Sequence, residues 1–312
     1  IGKFIKQNYE KANTLIKRLK KEKKINYQEI DHFSPLVRRL TAPNPSPFTL
    51  HGTGTFIIGN KEICIIDPGP KLDNHIANIL NSINRELITH ILITHTHKDH
   101  SPAAQELKKA TNAKTYGFGP YPINNYVDKY EEGHDLDFKP DVFLKDGDII
   151  RGSDWTIKSL HTPGHTSNHM CFGLEEEKLL FTGDHVMGWS TTVIIPPDGN
   201  MSDYINSLKK LLLLDYSKYF PTHGSPITEP QKYVRALIAH RKMREKQILE
   251  ELKTKKLFVK EMVPKFYSST KRQLWKAAEK SLLATLIGLE EKGHVRCIEN
   301  TKTDSKWSLI GK

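Results

Sequence analysis

Ile88-Thr89-His90-Ile91-Leu92-Ile93-Thr94-His95-Thr96-His97-Lys98-Asp99-His100 is the stretch on which the fold turns. Its first half is rich in Ile and Leu, as a buried strand is, and it breaks directly into His95, His97, Asp99 and His100. A strand that ends in four ligand-type side chains points to a metal site. Imidazoles at i and i+2 project to the same side of an extended backbone, so His95 and His97 can share one ion. Asp99 and His100 must then serve another direction. Ser101 is expected to cap, and Pro102 to start, a helix through Lys109 that pins the ligand turn from behind.

The strand-then-ligand pattern recurs along the chain. Thr162-Pro163-Gly164-His165-Thr166 carries a His after a Pro-Gly turn, Phe181-Thr182-Gly183-Asp184 an Asp after an apolar run, and Pro221-Thr222-His223-Gly224 another His. Upstream, Ile63-Cys64-Ile65-Ile66-Asp67-Pro68-Gly69 ends a strand in an acid. In this order the motifs resemble those of the metallo-β-lactamase superfamily of hydrolases. The resemblance implies two zinc ions, one on His95, His97 and His165, the other on Asp99, His100 and His223, with Asp184 bridging. It also implies an open position at each zinc, as catalytic sites have, and a metal-bridging hydroxide as nucleophile, with Asp99 and Asp184 as the catalytic carboxylates. Asp67 is expected to orient a ligand histidine rather than to bind metal itself. Zinc is favoured because most ligands are imidazoles.

Charge divides the chain. Residues 1–32 hold 9 Lys and Arg against 4 Asp and Glu, residues 33–230 hold 18 against 23, and residues 231–312 hold 20 against 9. The formal net charge of +11 therefore lies outside the central region, and a basic C-terminal quarter suggests a polyanionic partner such as single-stranded RNA. Three scattered cysteines without a Cys-x-x-Cys pair fit reduced thiols. No apolar run approaches the roughly 20 residues of a membrane span, and no signal-type segment is seen, so a cytoplasmic location is expected.

A basic extension is expected at 1–32, with one apolar helical face through Phe4, Ile5, Ala12, Leu15, Ile16 and Leu19. A catalytic domain follows at 33–230. The Pro-rich approach over 33–47 is expected to be neither helix nor central strand. Strands are expected over 48–59, 62–67, 88–94, 143–150, 155–160, 169–174 and 178–181, with helices over 72–84 and 201–214. An aromatic loop at 117–133 and the segment Trp189-Ser190-Thr191-Thr192-Val193 are expected beside the site. A helical linker at 231–254 leads to a basic domain at 255–312. There Trp275, Ala278, Leu282, Leu286 and Leu289 mark a helix, and two strands flank a turn at 300–305, as in a winged helix-turn-helix.

The fold class expected is thus α+β, a four-layer αβ/βα sandwich of metallo-β-lactamase type with a small winged-helix-like domain. The combination resembles the β-lactamase-like protein 2 subfamily, whose animal members imply cleavage of single-stranded RNA. The leading expectation is a zinc-dependent endoribonuclease, its basic tail holding RNA. The alternatives are a thioester hydrolase of the glyoxalase II type acting on hydroxyacylglutathione, or a non-catalytic nucleic-acid-binding protein with a structural metal. The hairpin-containing tail weighs against the thioesterase, whose glutathione-binding tail is helical.

Overall fold

The computed structural model describes residues 25–83, 85–122, 133–301 and 304–311. Two sheets face each other. The first has seven strands in chain order: β1 (Asp31–His32), β2 (Val37–Thr41), β3 (Gly54–Ile58), β4 (Glu62–Ile66), β5 (Leu87–Leu92), β6 (Lys114–Gly117) and β7 (Val142–Phe143). The second runs β12 (Lys218–Pro221), β11 (Leu179–Gly183), β10 (Met170–Leu174), β9 (Thr156–His161) and β8 (Ile149–Arg151).

Alternation along the strands builds the layers. Phe56, Ile58, Cys64 and Ile66 point inward to meet Ile157, Phe172, Phe181 and Phe220 of the second sheet. Ile57, Ile63 and Ile65 point the other way. They pack under helices α1 (Asp73–Asn81) and α2 (Ala103–Thr111), against Ile76, Ile79, Ala104 and Leu107. Strands buried on both faces read as unbroken apolar runs, which is why Ile63-Cys64-Ile65-Ile66 is apolar throughout. On the far side of the second sheet, Leu160, Cys171, Leu180 and Tyr219 lie under α3 (Met201–Leu211) and α4 (Pro230–Leu252). The result is the four-layer αβ/βα sandwich.

Helix α4 serves two cores. Its Tyr233, Val234 and Leu237 join the sandwich, and Ile248 and Leu252 join a second cluster with Leu257, Met262, Leu286 and Trp307. That second unit holds α5 (Val259–Phe266), α6 (Trp275–Glu291) and a three-stranded sheet of β13 (Leu257–Phe258), β15 (Ser305–Leu309) and β14 (Val295–Asn300). Helix α6 is buried on two faces. Leu282, Leu286 and Leu289 enter its own core. Ala277, Ser281, Ala284 and Gly288, spaced three and four apart, face the sandwich; Ala284 sits in the sandwich's core cluster, and a Cβ on Gly288 would lie 3.3 Å from Ser202 Oγ. Small residues let the two helices approach closely.

Several local expectations change, among them the strand expected over 143–150, which divides into β7 and β8 on different sheets. Val37–Thr41 is a strand paired on both sides, although the approach over 33–47 was expected to hold none. Pro35 precedes the strand and the next proline is Pro43, and the charges that disguise the strand are neutralised, Arg38 by Glu86 and Arg39 by Asp31, each at 2.8 Å. The strand expected from Phe48 starts at Gly54, because Ser46 and Asn44 hold the intervening backbone in turns. Ser101 does not cap α2; its hydroxyl donates to Asp135 at 2.6 Å instead. The N-terminal basic helix and most of the aromatic loop lie outside the described residues. No helix among the described residues is long and apolar enough to cross a membrane.

Candidate metal centre

Five connections converge where β4, β5, β9, β11 and β12 end, and each brings one of the motifs. Asp67, just past β4 and fully buried, holds a left-handed conformation at φ 50°. One oxygen accepts the Thr94 N–H at 2.8 Å; the other accepts Thr94 Oγ1, Thr222 Oγ1 and His100 Nδ1–H, each at 2.8 Å. Asp67 thus joins the ends of β4, β5 and β12.

The imidazoles are aimed by what holds their outer nitrogens. A carbonyl only accepts, so Nδ1 of His165 donates to Val193 O at 2.8 Å and Nδ1 of His223 donates to Gly52 O at 3.1 Å. With Asp67 holding His100 in the same way, these three rings present Nε2 to the centre. His95 Nε2 and His165 Nε2 lie 2.8 and 3.2 Å from His97 Nδ1. Around the other pole, His223 Nε2 is 3.0 Å and His100 Nε2 is 3.4 Å from Asp99. Asp184 spans the two groups, Oδ1 facing His100 at 3.6 Å and His223 at 3.4 Å, Oδ2 facing His165 at 3.9 Å. In each of the triads His95–His97–His165 and Asp99–His100–His223, the ligand atoms lie within 4.8 Å of one another.

The donor chemistry fits cations. His100 Nε2, Asp184 Oδ1 and His223 Nε2 are buried with only one another and Asp99 to face, a costly arrangement unless a cation sits between them. Burial, reinforced by the neighbouring histidines, holds His95 well below the usual imidazole range, which leaves its lone pair free. Burial opposes ionisation of Asp99 and Asp184. His100 and His223 overcome this, leaving Asp99 well below the carboxylate range and Asp184 at about 2. Reciprocally, the carboxylates lift His100 and His223 against burial, so the pole around Asp99 draws positive charge.

The seven side chains named from the motifs, with Asp67 behind them, are therefore gathered in one place. A pocket opens onto them, lined by His97, Asp99, His165 and Asp184 on one side and by Phe48, Met187, Thr192 and Val193 on the other. His169 lies behind the site, where its Nε2 accepts the Asp184 N–H at 3.1 Å. His185 is buried against the Tyr204 ring, His161 stacks on Phe118, and His51 contributes a carbonyl to Tyr27. His134 had no expected role, yet its ring packs 4.8 Å from that of His97 and 3.6 Å from that of Tyr121. The carbonyls of Gly52 and Val193, which orient two histidines, carry no side-chain signal that a sequence could show.

Gly164 sets the angle at which His165 enters. Its φ is 139°, and a Cβ there would fall 2.3 Å from Tyr204 Cα and 2.5 Å from Tyr204 N. Those are backbone atoms and cannot swing aside. Gly164→Ala is expected to lose at least about 2 kcal/mol of stability from strain alone and to weaken divalent-metal binding. Denaturant titration and metal competition on the purified variant check both.

The family model described as "Metallo-beta-lactamase superfamily" matches residues 49–223, and that described as "Beta-lactamase associated winged helix domain" matches residues 259–307. An atrochrysone carboxyl ACP thioesterase of Cryptosporiopsis sp. is 32% identical over 230 residues, 72% of this chain and 65% of that protein. The chain thus spans just under two thirds of that relative's length. A β-lactamase-like protein 2 homolog of Caenorhabditis elegans is 32% identical over 231 residues, 72% of this chain and 74% of the relative. A β-lactamase domain protein from Burkholderia ambifaria shares the fold, with a TM-score of 0.79 at 18% identity over 93% of this chain and 96% of its own.

The expectation of single-stranded RNA cleavage is overturned by these relatives, several of which, at 30% to 32% identity, bear the thioesterase name. The structure shows why the basic tail misled. Helix α6, the longer helix of the winged-helix-like unit, is packed between its own core and the sandwich and not laid open to a polyanion. Many tail lysines are paired with acids: Lys253 with Glu250 at 2.9 Å, Lys265 with Glu251 at 2.5 Å, Lys276 with Glu279 at 3.1 Å, and Lys292 with Glu245 at 2.5 Å.

Proposed function

The chain belongs to the metallo-β-lactamase superfamily, and from that premise we propose that it is a dinuclear metal-dependent thioester hydrolase. The observation that carries this reading is the pocket, in which the His and Asp cluster faces an apolar wall of Phe48, Met187 and Val193. A thioester has the matching shape: a polarised carbonyl at one end and an acyl chain that leaves water at the other. The relatives named as acyl-carrier-protein thioesterases support the same class.

In this reading His95, His97 and His165 would hold one cation and Asp99, His100 and His223 the second, with Asp184 placed between the two groups. Zinc suits the imidazole-rich set. Two cations bound there would supply Lewis acidity and an activated water. The chain's own residues do the rest. Asp67, Val193 and Gly52 fix the tautomers and angles of three histidines before substrate arrives. Asp99, kept ionised, offers Oδ1 with no hydrogen-bond partner as the acceptor for the proton released when water adds to the acyl carbon. Phe48, Met187 and Val193 exclude water from the acyl side. Among the described residues lining the pocket, Thr192 is the one hydroxyl donor outside the cluster. A thiol, with a pKa of about 8.5, leaves as its anion with little help, whereas an amine or alkoxide needs a proton.

The test is turnover by the zinc-loaded protein of an acyl-pantetheine thioester, of S-lactoylglutathione and of a labelled single-stranded RNA. Hydrolysis of the pantetheine thioester is expected, with hydrolysis of the glutathione thioester alone placing the chain with the glyoxalase II type. Failure on both thioesters would overturn the proposal.

A further inference from the structure

One hydrogen bond from the C-terminal unit and one from α4 meet on a short segment, residues 192–194, and that segment is also what holds His165. Ser281 Oγ, on α6, accepts the Ile194 N–H at 3.0 Å. Arg241 Nη2, on α4, donates to Thr192 O at 2.6 Å. Between these two anchored groups lies the Val193 carbonyl, which accepts Nδ1–H of His165 at 2.8 Å, with Thr192 Oγ1 at 3.1 Å from the same nitrogen. His165 Nε2 then faces His97 Nδ1 at 3.2 Å. The path is therefore three consecutive residues long, hydrogen-bonded at both ends to helices beyond the sandwich's sheets and in its middle to a candidate ligand.

The anchoring groups on either side of Val193 are buried. Ile194 is 0% exposed, Thr192 2%, Arg241 5% and Ser281 6%. A peptide N–H in such a place needs its acceptor, and a buried carbonyl gains most from a charged donor. Arg241 also lies over the Tyr204 ring, 5.2 Å from its centroid, and the Tyr204 backbone is the wall that confines Gly164. His165 is thus braced on both sides, through Gly164 and through Val193, by parts that lean on the same guanidinium.

We propose that the C-terminal winged-helix unit is a positioning element of the metal centre, its Ser281 acting with Arg241 of the connecting helix α4 to fix residues 192–194 so that the Val193 carbonyl holds His165 at its coordinating angle. The proposal rests on His165 being a metal ligand, as the proposed function has it. It gives the tail a purpose independent of its charge. It also explains the Ala, Ser and Gly face of α6, which brings Ser281 Oγ within reach of the Ile194 amide.

The test uses the full chain with Ser281→Ala, Ser281→Thr, Arg241→Met and, as a control, Glu291→Ala. Glu291 accepts from Ser202 Oγ at 2.7 Å, a contact of α6 that touches neither residues 192–194 nor His165. Three readouts are taken: hydrogen exchange of the segment 189–199 in the metal-free protein, affinity for zinc by chelator competition, and kcat and KM for the acyl-pantetheine thioester. Ser281→Ala and Arg241→Met are expected to speed exchange of the segment and to weaken one of two zinc equivalents about 10-fold or more. They should lower kcat by a similar factor with little change in KM. Ser281→Thr, which keeps the oxygen, should restore all three, and Glu291→Ala should leave them as in the parent.

Exchange, affinity and turnover equal to the parent in both impaired designs would overturn the inference and leave the proposed function standing. Faster exchange with unchanged zinc affinity would also overturn it, since the segment would then not be what positions His165. A parent protein that binds no zinc would instead remove the proposed function, and the exchange data on metal-free protein would still report whether Ser281 holds the segment.

Discussion

Asp184→Asn is expected to lower kcat/KM for thioester hydrolysis by at least ~10³-fold, about 4 kcal/mol of transition-state stabilisation. The carboxylate faces both groups of candidate ligands, with Oδ1 3.4 Å from His223 Nε2 and Oδ2 3.9 Å from His165 Nε2. Asn keeps the volume and one acceptor but loses the charge, and it turns a donor toward a position that needs lone pairs. The buried backbone is left as it was, because the Asp184 N–H still reaches His169 Nε2. Stability should therefore change little while bound metal falls below two equivalents per chain. Steady-state kinetics with metal analysis of the dialysed variant measures both, and retained activity would remove Asp184 from its shared position.

Asp67→Ala should act on the fold and the site together. One side chain accepts the Thr94 N–H, the Thr94 and Thr222 hydroxyls and the His100 Nδ1–H, all at 2.8 Å and all buried. Removing it leaves four donors without their acceptor. Loss of one partner from a buried charged network costs about 3–5 kcal/mol. Without Asp67 the His100 ring also loses its fixed tautomer, so zinc affinity should fall ~10- to 100-fold. Urea denaturation and chelator competition are the measurements. A variant as stable as the parent would show that the junction of β4, β5 and β12 is held by something else.

What could be read in the sequence follows from where the chemistry sits. Ligand-type residues at the ends of apolar runs are visible because strands buried on both faces are uniformly apolar and stop abruptly. His95, His97, Asp99, His100, His165, Asp184 and His223 all stand at such stops, and the fold gathers them. The four-layer sandwich was legible for the same reason. Main-chain partners were not. Gly52 O and Val193 O orient two histidines, and any residue at those positions supplies a carbonyl.

Pairing of charge was equally invisible. Arg38 and Arg39 made a paired strand look polar until Glu86 and Asp31 were seen against them. The basic tail suggested a polyanion, since a sequence counts lysines but does not show that Glu250, Glu251, Glu279 and Glu245 lie beside four of them. In α6 the leucine stripe stood out, while the Ala277, Ser281, Ala284 and Gly288 stripe did not. Small residues mark a close approach only once the opposing surface is known.

In the proposed function two cations, held by the two triads and shared through Asp184, make this chain a thioester hydrolase. Its most direct test is a titration of metal-free protein with zinc, read by turnover of the acyl-pantetheine thioester. No turnover is expected in chelator, and on adding zinc a rise that saturates at two equivalents per chain. Turnover that persists in chelator, or is complete at one equivalent, would contradict it.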